Sequence, residues 1–598
     1  MSLWARIKRE VRFLRGLSRT LKRIKGIEPD SEHLVCDDLE AAVDRFATRP
    51  AIVFEGRTVT YGEFDTLANR YAHWATGRGI KRGDTVALFM PNRIEYLAAW
   101  YGLSKVGVST ALINTQITGQ GLIHCLQVSR ASHVIVDAET APAFEDVREQ
   151  LNRSMMEWVV GGGAARADRD LDRALKGVSS LRPTGATARY GLTAKDVALY
   201  IFTSGTTGLP KAAKMTHMRA QMMMRGFAGA TAATEKDRIY CALPLYHATG
   251  GLCAVGAALL NGGTLLLKKK FSATQFWDDV VAEGATMFVY IGELCRYLVN
   301  QPEREIERQH KLRLAFGNGL RPDVWAKLIQ RFRVPEVLEF YGSTEGNVSM
   351  FNFDGKLGAI GRVPKYLRKR FNFRLVRFDS ETEQPERTVQ GFCIECRPGE
   401  PGEALGEIGA DARSNFTGYA DKAETEKKIL RDVFAVGDAW FRTGDLLRQD
   451  TEGYFYFVDR VGDTFRWKGE NVATSEVAER LSDAPGVLEA NVYGVSVPGA
   501  EGRAGMAAIV PGEGFDLQRL HEVVARELPS YAQPLFLRLQ PHIDTTGTFK
   551  FRKVDLAAEG FDPGVVADPL YFHDPEAGAY VPLDAALYAR IAAGEIRL

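Results

Sequence analysis

Nowhere does this 598-residue chain hold the ~20 consecutive apolar residues that a membrane-spanning helix needs. Its N-terminus also lacks the clean apolar core of a secretory signal. Cysteine is scarce: seven residues, an odd number scattered over the chain, which argues against a disulfide framework and predicts reduced thiols in a cytoplasmic setting. The one C-x-x-C, Cys393 to Cys396, has no second pair to complete a zinc site, and its strand-like surroundings favour sulfurs that simply pack over a redox or metal role. No excess of one charge is present: 76 Lys+Arg against 75 Asp+Glu leave +1, so the chain as a whole is no nucleic-acid binder. No repeat of 20–50 residues marks a solenoid. The G-x-x-x-x-G-K-[ST] loop of the Walker nucleotide-binding proteins is absent as well.

What is present is an ordinary globular balance, 45% hydrophobic and 25% charged, over a length that holds two or more domains. Short apolar runs alternate with helical patterns. Thr85 to Met90 reads as a strand, Arg93 to Lys105 as a helix with Tyr96, Ala99, Trp100 and Leu103 on one face, and Ser132 to Asp137 as a strand. Such alternation predicts an α/β fold with largely parallel sheets. Residues 160–190, rich in Gly, Ala, Arg and Ser, read as a surface connection. A domain boundary is expected near residue 460, after the strand Tyr454 to Val458. The tail beyond it is small, with a helix at 475–482 and strands near 490–497 and 507–510.

One segment carries most of the chemistry. The apolar run Val197 to Phe202 breaks into Thr203, Ser204, Gly205, Thr206, Thr207 and Gly208, and the loop closes on Pro210 and Lys211. A polyphosphate needs what these residues supply: glycines that let backbone N–H groups approach, hydroxyl donors, and a cation. A flexible Ser/Thr/Gly surface loop is the plain alternative.

This loop resembles the signature of the adenylate-forming ligases, which include acyl-CoA synthetases, peptide-synthetase adenylation domains and beetle luciferases. Phe340-Tyr-Gly-Ser-Thr-Glu-Gly346 and Arg442-Thr-Gly-Asp445 resemble two further elements of that superfamily. Asp459 to Asn471, Leu243-Pro-Leu-Tyr-His247, Phe288 to Glu293 and Gly317-Asn-Gly-Leu-Arg-Pro322 narrow the likeness to the fatty acid transport protein branch, the very-long-chain acyl-CoA synthetases. The resemblance spans roughly residues 28 to 598.

It implies a large N-terminal AMP-binding domain of packed α/β subdomains at 28–460 and a small mobile α+β capping domain at 461–598. It also implies ATP, Mg²⁺ and coenzyme A as reaction partners of a fatty acid. Thr203 to Lys211 would cradle the phosphates, Thr344 would donate to one, and Glu345 would hold Mg²⁺. Tyr341 with Gly342 would stack on adenine, and Gly317, Asn318 and Gly319 would pass close to its edge. Asp445 and Arg460 would grip the ribose. His247 would lie where acyl pocket meets nucleotide, although a lone histidine is as readily structural, and Tyr290, Ile291 and Gly292 would line the pocket. Lys550 would stabilise charge during adenylation, with Lys553 as second choice, because Lys550 lies two residues later than in many relatives. The pivot position is equally displaced: Gly462 stands where Asp or Lys is usual, with Asp463 next. Two other functions stay open. One is a ligase that loads a carrier protein instead of coenzyme A. The other is a membrane-associated lipid uptake protein without turnover, against which an intact ATP site argues.

Residues 1–25 hold nine Lys/Arg and one Glu. At 100° per residue Leu3, Ile7, Val11, Leu14, Leu17, Leu21 and Ile24 share one arc and most of the basic residues the other. That pattern predicts an amphipathic helix over 1–27 that lies on the inner face of a membrane. A helix packed on the protein's own core and an Arg-rich targeting peptide are the competing readings.

Overall fold

The computed structural model describes every residue except 1–2, 153, 163–166, 184–188, 204–208, 381, 469, 499, 501, 544–552 and 597. The chain forms two compact units, one of residues 1–372, 406–430 and 439–441, the other of 373–405, 431–438 and 442–598. Residue 460 therefore falls inside the second unit. The strands Phe373–Val376, Pro401–Glu407, Ala439–Gln449 and Tyr454–Arg460 are hydrogen-bonded neighbours in one sheet, so segments far apart in sequence belong together. A boundary read from local chemistry cannot see that pairing.

The first unit is built on two sheets. One runs in the order Met156–Val159, His133–Val136, Thr85–Phe89, Ser109–Leu112, Val197–Thr203, Lys211–Thr216, all parallel except the last pair. The other runs Ser349–Phe351, Val337–Gly342, Leu314–Asn318, Met287–Ile291, Arg238–Cys241, Thr264–Leu267, Pro50–Phe54, Arg57–Thr60, parallel inside and antiparallel at both edges. Helices cover both faces of a parallel sheet, so its strands read as unbroken apolar runs. Thr85–Phe89 and Thr264–Leu267 are buried at every residue.

Two local expectations change. The helix Ile94–Ser104 is buried at every position but Glu95, not on one face, because it packs against the helix Tyr61–Gly77 as well as the strand Ser109–Leu112. The stretch read as a surface connection contains the helix Leu171–Lys176, capped by Asp170, with Leu171 and Leu175 buried.

The basic N-terminal segment is the helix Leu3–Ile24, and it docks on the first unit. It does so chiefly along Phe13, Gly16 and Thr20, a line the helical wheel did not select, with Leu17 and Ile24 of the wheel's apolar arc packed beside it. Phe13 is buried edge-on to Phe353 at 6.1 Å, and Thr20 is buried too. A Cβ on Gly16 would lie 2.4 Å from the Phe353 ring, so glycine there permits the close approach. Gly229 plays the same part on the opposing helix, where a Cβ would meet the Arg19 carbonyl oxygen at 2.9 Å. Glu10 accepts from Arg362 and from the Tyr366 hydroxyl, and Arg12 pairs with Glu336 at 3.2 Å.

The second unit also holds the sheet Val487–Val495, Ala504–Pro511, Phe536–Leu539, Leu570–Asp574, Ala579–Pro582, mixed in direction and covered by helices that include Thr474–Ser482 and Leu517–Glu527. It has its own apolar core.

Candidate nucleotide and acyl site

In the first unit the phosphate loop joins two paired strands, with Thr203 and Lys211 opposite each other in register. Ser204, Gly205, Thr206, Thr207 and Gly208 lie outside the described residues. Lys211 pairs with Glu424 at 2.5 Å. Glu345, on the loop after the strand Val337–Gly342, accepts a hydrogen bond from the Tyr419 hydroxyl at 2.8 Å. Burial raises the Tyr419 hydroxyl well above its ordinary value, so it stays a neutral donor. Arg219 ties the same loop down: its Nε donates to the Thr344 carbonyl at 2.7 Å and its Nη2 to the Ser343 carbonyl at 2.9 Å. Desolvation pushes Arg219 down to about 10, which leaves it charged at neutral pH.

Gly317 and Asn318 lie beside Tyr290 and Ile291 on parallel strands. Gly317 and Gly292 are required by their protein neighbours. A Cβ on Gly317 would sit 2.1 Å from the Tyr290 carbonyl oxygen, and one on Gly292 would meet the Gly319 carbonyl oxygen at 1.7 Å. Gly319 itself has φ +79, a left-handed turn that favours glycine. The Asn318 amide oxygen is buried and no described residue donates to it, as suits an acceptor awaiting an exocyclic amine. Tyr341 is buried on its strand and Gly342 exposed at the strand's end. His247 sits edge-on to Tyr246 at 4.6 Å, and its carbonyl accepts from Gly251 in the π-helical turn Thr249–Ala254, a rare geometry that recurs at functional sites.

In the second unit Asp445 and Arg460 are partners across two antiparallel strands, with Arg460 Nε 3.7 Å from Asp445 Oδ1. Thr443 shapes the turn: its hydroxyl donates to the Ala404 carbonyl and accepts from the Asp445 N–H. Gly462 follows with φ +90, and Asp463 hydrogen-bonds back to the Arg460 carbonyl. Lys553 opens the helix Lys553–Glu559 and is engaged twice, by Asp463 at 3.3 Å and Thr474 at 2.6 Å. Lys550 lies outside the described residues.

The profile of the AMP-binding enzymes matches residues 39–419, and that of the AMP-binding enzyme C-terminal domain matches 476–550. Long-chain fatty acid transport protein 6 of Mus musculus is 42% identical over 92% of this chain and 88% of its own. Long-chain fatty acid transport protein 3 of Homo sapiens is 45% identical over 86% and 76%. The chain belongs to the AMP-binding enzymes, in their fatty acid transport protein branch. Solved structures share the fold. An anthranilate CoA ligase in complex with anthranoyl-AMP superposes with a TM-score of 0.74 at 20% identity, covering 88% of this chain and 96% of that one. ATP-bound MatB from Rhodopseudomonas palustris gives 0.72 at 23%, covering 88% and 98%. Membership makes this protein an adenylate-forming ligase with a large α/β AMP-binding domain and a smaller α+β C-terminal domain.

Within this AMP-binding enzyme, sequence reasoning missed Tyr419, Glu424, Arg219 and Glu339. Each acts on a residue distant in the chain, so no local spacing marks it. Glu339 is fully buried between the turn at Gly319–Leu320 and the strand Met287–Ile291. It accepts from the Tyr290 hydroxyl at 2.5 Å and from the Leu320 N–H at 3.0 Å. Tyr290, expected to line the acyl pocket, is itself buried, with its hydroxyl committed to this carboxyl.

Burial pushes the Glu339 carboxyl up to about 8 despite its donors. Folding thus favours the neutral acid. The resulting stability is complete below the ordinary carboxyl value of 4.5 and is lost as pH rises through about 8. Wild type should therefore lose stability over that window at up to about 1.4 kcal/mol per pH unit beyond Glu339→Gln, which carries no proton to lose. Denaturant unfolding at pH 5, 6.5 and 8 measures the difference; parallel pH dependences of the two proteins would refute it.

Proposed function

We propose that this ligase joins a long-chain fatty acid to coenzyme A through an acyl-adenylate, at a membrane surface from which the acid is drawn. One observation supports the site most: Thr203, Lys211 and Glu345, from segments up to 142 residues apart, converge on the single side chain of Tyr419. The names of the relatives support the acyl substrate.

The fatty acid carboxylate attacks the α-phosphate of ATP, a C–O–P linkage forms, and pyrophosphate leaves. The thiol of coenzyme A then attacks the acyl carbonyl and expels AMP. No protein nucleophile is needed, so catalysis rests on positioning and charge. Lys211 exchanges Glu424 for phosphate oxygens. Thr344 donates to a phosphate, and Asp445 with Arg460 holds the ribose hydroxyls. Asn318 faces the adenine amine, and His247 closes the junction with the acyl chain.

Mg²⁺ neutralises phosphate charge when bound. Glu345 fits it as a single carboxylate ligand. Among the described residues no group of three or more His, Cys, Asp or Glu forms a protein cage, and Mg²⁺ with a nucleotide asks for one or two carboxylates plus phosphates. The deciding assay is AMP release by purified enzyme with ATP, Mg²⁺ and fatty acids of graded length. Release that requires free coenzyme A supports the reading. Release only onto an acyl carrier protein would favour the carrier-loading alternative, and no pyrophosphate with any acid would favour uptake without turnover.

The docked N-terminal helix supports the membrane part. Among the described residues no helix is long and apolar enough to cross a bilayer. Yet with Phe13 buried in the protein, Trp4 is still 81% exposed, and Ile7, Val11, Leu14 and Leu21 are each at least 40% exposed. They are flanked by exposed Arg6, Lys8, Arg15 and Lys22. An apolar row bordered by cations suits an anionic lipid surface. Changing Ile7, Val11 and Leu14 together to Gln, with Phe13 kept, should weaken sedimentation with phosphatidylserine-containing vesicles at least about tenfold at physiological salt. Equal sedimentation of variant and wild type would remove the membrane role and leave the ligase untouched.

A further inference from the structure

The residues around Tyr419 form a brace against the phosphate-loop hairpin. The strand Lys211–Thr216 pairs on one edge with Val197–Thr203. On its other edge lies the segment 418–420: the Lys214 N–H donates to the Gly418 carbonyl at 3.0 Å, the Ala420 N–H donates to the Ala212 carbonyl at 2.8 Å, and Ala213 and Tyr419 are bridge partners. The Tyr419 N–H is held from the far side by the Thr425 hydroxyl at 2.9 Å. Asp421 caps the short helix Lys422–Glu426, which presents Glu424 to Lys211. Tyr419 is therefore fixed at its backbone on both sides, and its ring is buried. Such a side chain has little freedom to lose when it makes a further contact.

Its hydroxyl contacts two parts of the site. It donates to Glu345 Oε1 at 2.8 Å, and the side chain of Thr203, the residue that leads into the loop 204–208, is its neighbour. No other described residue hydrogen-bonds to the Glu345 carboxylate. A half-buried carboxylate on a loop, tethered at one oxygen, keeps one orientation; without the tether it samples several rotamers.

We propose that Tyr419 is a positioning residue for adenylation, whose hydroxyl holds the Glu345 carboxylate in the orientation that carries Mg²⁺ with the nucleotide. This rests on the reading of Glu345 as the metal carboxylate. Partners of this kind, one bond removed from the ion, typically change metal affinity 10–100-fold when lost.

The test uses Mn²⁺ as the probe, its binding followed by electron paramagnetic resonance on the full-length enzyme with a non-hydrolysable ATP analogue. Tyr419→Phe removes only the hydroxyl and keeps the ring that packs. It should weaken Mn²⁺ about tenfold and raise the Mg²⁺ concentration for half-maximal adenylation by a similar factor, with KM for the fatty acid unchanged. Glu345→Gln should weaken Mn²⁺ at least as much. In the Glu345→Gln background Tyr419→Phe should add less than about twofold, because a residue acting through Glu345 has nothing left to position. Mn²⁺ affinity within twofold of wild type for Tyr419→Phe, while Glu345→Gln is weakened, overturns the inference alone. Full additivity of the two changes also overturns it. Wild-type Mn²⁺ affinity in Glu345→Gln itself would remove the metal role of Glu345, and the inference with it.

Discussion

Lys550→Ala is expected to slow pyrophosphate release from ATP and fatty acid by about 10²–10³-fold, the loss typical of removing one group that stabilises transition-state charge. Thioester formation from supplied acyl-AMP and coenzyme A should stay within a few-fold of wild type. The asymmetry follows from what each step demands. Only adenylation passes through a five-coordinate α-phosphate, whose oxygens gain charge as pyrophosphate leaves; in the second step the phosphorus stays tetrahedral, and the charge builds on the acyl carbonyl oxygen and on the departing AMP oxygen. The structure sharpens the choice between the two lysines. Lys553 already answers to Asp463 and Thr474, and Thr474 in turn bonds the buried carboxylate of Asp459. A lysine so engaged anchors the start of its helix. Lys553→Ala should therefore cost stability first and lower both half-reactions together. Selective loss of adenylation in Lys553→Ala but not in Lys550→Ala would show that the motif is registered three residues too early.

Gly462→Pro is expected to separate the half-reactions. Gly462 has φ +90, and proline is held near −65°, so the substitution forbids the backbone conformation seen here. The turn is otherwise well defined: the Val461 N–H donates to the Gly444 carbonyl at 2.9 Å and the Asp463 N–H to the Arg460 carbonyl at 3.1 Å. We propose that the segment after Gly462 turns about this point between steps, so that fixing the angle keeps one arrangement and blocks the other. One half-reaction should persist within about threefold while the other falls by more than about 10². Gly462→Ala is the companion. A Cβ there meets no atom within 4 Å, so alanine tests only the left-handed angle, at roughly 1 kcal/mol, and both half-reactions should survive. Loss of both half-reactions in Gly462→Pro, with the fold intact by circular dichroism, would place the pivot elsewhere.

The order of the motifs and the strands that carry them were legible in the sequence because both are local. Buried parallel strands read as short apolar runs, and the hydroxyl- and glycine-rich loop follows directly on one of them. The start of the second unit was not legible, since its sheet gathers strands from residue 373 onward and hydrogen-bond partners leave no mark on each other's sequence. The docking face of the N-terminal helix was missed for a related reason. The wheel ranks residues by hydropathy, but the helix seats itself on Phe13 and on the small surface of Gly16, which scores as no hydrophobe at all.

By itself, then, the sequence carried the motifs on which the family resemblance and the proposed roles rest: a hydroxyl- and glycine-rich loop, a Thr-Glu pair, an Arg-Thr-Gly-Asp turn and a basic amphipathic start, each a run of neighbours. Only the tertiary structure decided how those groups are held. Gly317 and Gly292 make room for Tyr290 and the Gly319 backbone, burial raises the Glu339 carboxyl beside that turn, and Glu345 is hydrogen-bonded by a tyrosine 74 residues away. Packing density and hydrogen-bond satisfaction settle these relations among residues brought together by the fold, and neither quantity exists before the chain has closed on itself.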